Sequence, residues 1–150
     1  MPDIDWQDSS GIQMRSPEQI LREAKTIALV GASPTPARPS HSVMRYLLAQ
    51  GYRVIPVRSL DGDQVLGVPC VASLADIDEP IDLVDVFRRE EALPGHAREA
   101  VEAGAKALWL QLGLRSPEAR RIATEAGLDY VEDACTAIVH RQAFNRGAQI

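Results

Sequence analysis

The chain has 150 residues, 45% hydrophobic and 25% charged, which is the length and composition of one globular domain with one core. Its net charge of −5 argues against a general nucleic-acid binder, because a phosphate backbone demands a basic face. No apolar stretch approaches the roughly 20 residues that a bilayer-spanning helix requires, so no membrane partner is expected.

The start, Met1-Pro2-Asp3-Ile4-Asp5, is acidic and lacks the regions of a signal peptide, so the expected location is the cytoplasm. Residues 1–150 read as a single domain, with a core over about 16–144 and a flexible stretch over 1–15. Ser16-Pro17-Glu18-Gln19 has capping-box spacing and opens a first helix. Thr26-Ile27-Ala28-Leu29-Val30 is a β-branched and apolar run closed by Gly31, and predicts the first strand. Ser42 to Gln50 then places Val43, Met44, Leu47 and Leu48 on one helical face, and Gly51 stops that helix. Arg53-Val54-Ile55-Pro56-Val57 is a second strand, and a turn at Asp61-Gly62-Asp63 leads to a short third strand near Val68 to Val71.

Leu83-Val84-Asp85-Val86-Phe87 predicts a fourth strand, followed by a helix ending at Gly104 and a fifth strand over Ala107 to Gln111. Ser116-Pro117-Glu118 combines an N-cap, a first-turn proline and an early acid, and that helix runs to Gly127. A last strand at Tyr130-Val131-Glu132 and a helix over Cys135 to Phe144 complete the series. Strands separated by helices imply right-handed crossovers. The expected fold is α/β, Rossmann-like and doubly wound, with about five mainly parallel strands and helices on both faces. Ligands of such folds sit at the carboxyl ends of the strands, where strand order reverses.

The segment Gly31-Ala32-Ser33-Pro34-Thr35-Pro36-Ala37-Arg38-Pro39-Ser40-His41-Ser42 lies between the first strand and the first crossover helix, where such folds hold phosphates. Gly31 permits a tight turn and close approach, the helix start offers amides and a positive dipole end, and Ser33, Ser40 and Ser42 add hydroxyls. Arg38 adds a guanidinium fork suited to phosphate. The turn is neither GxGxxG nor a Walker A loop. Other carboxyl-end loops deliver Val57-Arg58-Ser59, Phe87-Arg88-Arg89 and Gln111-Leu112-Gly113 to the same edge. Of the two arginines after Phe87, one is expected to face ligand. Gln111 is the better candidate in its loop and Gly113 is equally a turn glycine.

His41 is read as a phosphate contact or a partly exposed helix-start residue, and His96 as a surface residue. Asp85 inside an apolar strand predicts a hydrogen-bonded structural carboxylate. Cys70 and Cys135 are far apart with no CxxC spacing, which predicts free thiols and no metal site. No catalytic constellation is visible, so an enzyme is not expected.

The ordered set Gly31-Ala32-Ser33, Arg38-Pro39-Ser40, Tyr52-Arg53-Val54-Ile55-Pro56-Val57, Val84-Asp85-Val86-Phe87-Arg88-Arg89 and Trp109-Leu110-Gln111-Leu112-Gly113 resembles the stand-alone bacterial CoA-binding domain proteins. That family is related to the N-terminal domain of the succinyl-CoA synthetase alpha subunit, and the similarity runs from about Thr26 to His140. The resemblance implies a Rossmann fold with coenzyme A, or an acyl-CoA, as its small-molecule ligand. It implies that Gly31, Ala32, Ser33, Arg38 and Ser40 hold phosphates, that Val57, Arg58, Phe87 and Arg88 frame the adenosine, and that Gln111 to Gly113 form the crevice floor. Where the family usually reads Val-Asn-Pro, this chain has Val57-Arg58-Ser59, so Arg58 either adds a contact to a ribose phosphate or redirects the pocket. A second reading is an enzyme or regulatory subunit using NADP or another nucleotide, with Arg58 meeting a 2′-phosphate. A third is an interaction subunit that forms a homodimer or docks a protein partner.

Overall fold

The computed structural model describes residues 14–58 and 63–144. The expected stretch over 1–15 falls almost wholly outside the described residues, as do Ser59 and the turn residues Asp61 and Gly62.

Five strands form one parallel sheet: β1 (Thr26–Val30), β2 (Arg53–Val57), β5 (Leu83–Val86), β6 (Ala107–Leu110) and β7 (Asp129–Val131), in the order β2-β1-β5-β6-β7. The short β3 (Gln64–Val65) and β4 (Val68–Pro69) pair antiparallel in a separate hairpin. The expected short third strand near Val68 to Val71 is thus divided: Val68–Pro69 pairs with β3, and Val71 bridges in parallel to Val57 at the edge of the main sheet. Gly67 and Leu66, both with positive φ, make the tight turn that folds this segment on itself. Pro56 sits on β2, an edge strand, where a residue without an N–H leaves no ladder bond unmade.

Helices α1 (Pro17–Glu23), α2 (Pro39–Ala49) and α5 (Thr136–Phe144) cover one face, and α3 (Leu93–Glu102) and α4 (Pro117–Glu125) the other. Alternation along each strand divides the core. Ile27, Leu29, Leu83 and Trp109 pack toward α2, while Ala28, Val30, Val84, Val86, Leu108 and Leu110 pack toward α3 and α4. Strands covered on both faces read as continuous apolar runs, so their pattern in the sequence is unbroken. Trp109 is fully buried, and its indole N–H donates to Ala134 O at 2.8 Å, which satisfies its polar atom within the core. The α/β doubly wound class is therefore as expected.

Helix boundaries follow the capping chemistry. Ser16 accepts from Gln19 N, and the Gln19 side chain accepts from Ser16 N, closing the capping box. The α2 helix begins at Pro39 rather than Ser42, because a proline at the first position needs no amide partner. Ser116 Oγ, itself buried, accepts from Ala119 N at 3.0 Å. Ser116→Ala should lower unfolding free energy by about 1–2 kcal/mol, read from urea denaturation. Among the described residues, no helix is long and apolar enough to cross a membrane.

Candidate functional site

After β1 the chain crosses to β2 on one side, then returns past β1 to β5 on the other. The crossovers leaving β1 and β5 thus diverge, and a crevice opens outside the carboxyl ends of these strands. Gly31 stands at that point with φ +89°, and its amide and that of Ala32 donate to Val57 O at 3.1 and 3.4 Å. Phe87 N donates to Val30 O at 2.8 Å, drawing the end of β5 tightly against the turn. A Cβ placed on Gly31 would lie 2.2 Å from Phe87 O, so only glycine fits between these strand ends.

The resulting crevice has a volume of about 190 Å³. Gly31, Val57, Arg58 and Arg88 line it, four of the residues expected from sequence. Arg58 is half-buried, with Nη1 donating to Ala32 O at 3.4 Å. Its Nε stands 3.1 Å from Asp63 Oδ2, an ion pair by distance, yet off the line of a hydrogen bond, and is a buried donor without a hydrogen-bond partner among the described residues. Arg88 is exposed at the rim.

The opposite wall was not foreseen. Ala72, Ser73 and Leu74, after β4, and His96 and Glu99, on α3, complete the lining. His96 Nδ1 lies 2.8 Å from Glu99 Oε1. The expectation of a plain surface histidine is corrected: the turn from β5 into α3 brings His96 over the crevice. The pair lies three residues apart on one helical face, and that spacing was the signal available in the sequence.

The other expected residues occupy distinct places. Ala32 is buried, and Ser33, half-buried, accepts at Oγ from Thr35 N at 3.1 Å. Arg38 is the exposed N-cap of α2 and makes no side-chain cap; Pro39 has no amide and His41 N donates to Arg38 O at 3.0 Å, which leaves the Ser40 amide of the first turn uncapped. Ser40 is buried in that first turn. His41 is not partly exposed: it is 5% accessible, because α2 starts earlier than expected and carries it into the packed interior. Its Nδ1 is buried without a partner among the described residues. Phe87 is half-buried against the core on the α2 side.

Gln111 is buried rather than open to a ligand. Its amide donates to Asp85 Oδ1 at 2.6 Å and to Thr136 Oγ1 at 3.0 Å, and Thr136 donates to Asp85 Oδ2 at 2.9 Å. This fulfils the expectation of a structural carboxylate, and complete burial pushes the Asp85 carboxyl up to about 7. Gly113, exposed with φ +89°, donates to Asp133 Oδ1 at 2.7 Å, and this bond holds the Asp133 carboxyl below the usual range. Leu112 between them is 66% exposed at the same edge.

The sequence model of a family described as a CoA binding domain matches residues 25–141. The chain is 44% identical over 123 residues to YneT of Bacillus subtilis, an uncharacterized protein, spanning 82% of this chain and 90% of YneT. A solved structure from Thermus thermophilus superposes with a TM-score of 0.82 at 42% identity, over 87% of this chain and 100% of that one. An acetate–CoA ligase (ADP-forming) of Methanocaldococcus jannaschii is 26% identical over 82 residues, 55% of this chain and 12% of the ligase.

Proposed function

Because the chain belongs to the CoA-binding domain family, we propose that it is a small module that binds coenzyme A, or an acyl-CoA, across the carboxyl edge of its sheet. The observation that carries this is the crevice at the divergence of β1 and β5, where Arg58, 3.1 Å from Asp63 Oδ2 as an ion pair, keeps a buried Nε donor without a hydrogen-bond acceptor beside a second arginine, Arg88. A phosphate oxygen supplies such an acceptor. The residues present fit the group in kind: cations for phosphate, an apolar Val57 for an adenine face, and glycine where the chain approaches closest. At about 190 Å³ the crevice takes only part of so long a ligand, and the remainder would follow the uncapped start of α2 and the exposed Leu112. In this reading the protein carries no reaction of its own. Titratable groups at the site are paired with one another, His96 with Glu99 and Asp63 with Arg58.

Arg58 at the end of β2 also supports a second reading, since that position meets the ribose phosphate of a dinucleotide. Calorimetric titration with coenzyme A, NADP and ADP separates the two. Coenzyme A should saturate one site and outcompete the others, whereas preference for NADP would overturn the first reading. Arg58→Ala and Arg88→Ala are each expected to weaken coenzyme A binding by about 10- to 100-fold, the scale of one charge-assisted contact. Unchanged affinity in both variants would remove this crevice from the site.

A further inference from the structure

The opposite edge of the sheet holds a second, larger cavity of about 570 Å³, lined by the first residues of β1 and β2, Thr26 and Arg53, together with the end of α1 and His140 of α5. No carboxylate lines it, although the chain has 21 acidic residues to 16 basic ones. Three cations do: Arg22, Lys25 and Arg53. Arg53 is held by Glu79 through two bonds of 2.5 and 2.7 Å. The side chains of Arg22 and Lys25 pair with no carboxylate among the described residues. These two cations border one concavity, with Asp82 behind it accepting at Oδ2 from Lys25 N and Thr26 N at 2.9 Å.

The wall behind them is built rather than incidental. The Arg22 guanidinium lies 5.4 Å over the Phe144 ring, which packs 4.8 Å from His140. His140 meets Tyr52 edge-on at 5.7 Å, and Tyr52 Oη donates to Leu21 O at 2.5 Å. His140 is 8% accessible, with its Nδ1 2.8 Å from Tyr46 Oη, and burial lowers its pKa, so only an edge of an aromatic cluster reaches the cavity. Arg22, exposed and stacked on Phe144, keeps its fork of donors available for a phosphate.

We propose that this amino-edge cavity is a second ligand site, for a small ring compound bearing a phosphate monoester. Arg22 and Lys25 hold the phosphate, and Tyr52 and His140 flank the ring. The site is independent of the coenzyme A reading. Its volume lies in the range of small-molecule sites.

The test is an amide-resolved NMR titration of the isotope-labelled full chain with phenyl phosphate, with and without saturating coenzyme A. Saturable shifts are expected at Lys25, Gly51 and Tyr52, with Gly31 unmoved and no competition from coenzyme A. Inorganic phosphate should move the same amides with weaker affinity. The Arg22→Gln/Lys25→Gln variant should weaken phenyl phosphate about tenfold or more while leaving coenzyme A binding unchanged. The single Lys25→Gln variant serves if the double variant loses spectral dispersion. Shifts centred on Gly31 and removed by coenzyme A would overturn the proposal, as would no saturation by about 10 mM or equal affinity in the variants. If coenzyme A itself does not bind while the Lys25 shifts persist, the module reading fails and this site stands.

Discussion

Gly31→Ala is expected to lower unfolding free energy by roughly 2–5 kcal/mol and to abolish measurable coenzyme A binding in the protein that still folds. Two costs combine. The backbone at φ +89° disfavours any side chain, and the new Cβ would meet Phe87 O at 2.2 Å and Arg88 Cδ at 3.0 Å. The first atom is backbone, held by the bond from Phe87 N to Val30 O, so it yields only by separating the carboxyl ends of β1 and β5. That separation also displaces Arg88 from the crevice. Gly51→Ala is the control, because Gly51 has φ +96° but nothing within 4 Å of its added Cβ. It should cost only about 1–2 kcal/mol and leave coenzyme A affinity intact. Urea denaturation and calorimetry on the two variants measure the difference. Equal losses of stability would show that φ alone, and not the close approach of the strands, governs Gly31.

The second large effect concerns Asp85 and depends on pH. An unfolded aspartate titrates near 3.8 and folded Asp85 near 7, so the native state holds the extra proton between these values. Its contribution is therefore fully present below the unfolded value and is lost as pH rises through 7, by up to roughly 4 kcal/mol. Asp85→Asn removes the ionisation. It keeps an acceptor for Gln111 but leaves the Thr136 hydroxyl without the oxygen it now donates to. The variant is expected to be less stable than wild type by about 1 kcal/mol at pH 4 and more stable by about 2–3 kcal/mol at pH 8. The difference curve isolates Asp85, because His140, whose pKa is lowered by burial, adds a slope of opposite sign to both proteins. A variant less stable by the same amount at both pH values would show that Asp85 does not change its charge in this window. Asp85→Leu, which strands the Gln111 amide and the Thr136 hydroxyl in the core, should cost about 2–4 kcal/mol.

Both residues illustrate how unevenly the site could be read in advance. Gly31 was legible, because a glycine ending an apolar run just before a helix marks one local event, a tight turn. The structural character of Asp85 was legible too, since a carboxylate inside a buried strand must find donors. Its partners were not: Gln111 and Thr136 lie 26 and 51 residues away along the chain. Gln111, a polar residue at a strand exit, has the sequence signature of a ligand contact. Position in sequence does not distinguish a side chain turned to the crevice from one turned under α5. His96 and Glu99 were missed for the same reason, together with Ala72 to Leu74.

What the sequence by itself determined is what repeats at short range. The alternation of apolar runs with amphipathic segments set the α/β class, and Ser16 and Ser116 marked helix starts through groups a few residues apart. The unbroken runs Ile27 to Val30 and Ala107 to Leu110 already required cover on both faces. Tertiary structure alone decided the order β2-β1-β5-β6-β7, and with it the divergence of β1 and β5 that opens the crevice. It also decided that Val68–Pro69 closes a hairpin with β3 while Val71 bridges to β2, and that Arg22, Lys25 and His140 share one cavity. The physical reason is the range of the forces. Periodicity and capping act within one or two turns of the chain. Which strand lies beside which, and which side chains meet at an edge, depends on packing both faces of the sheet at once.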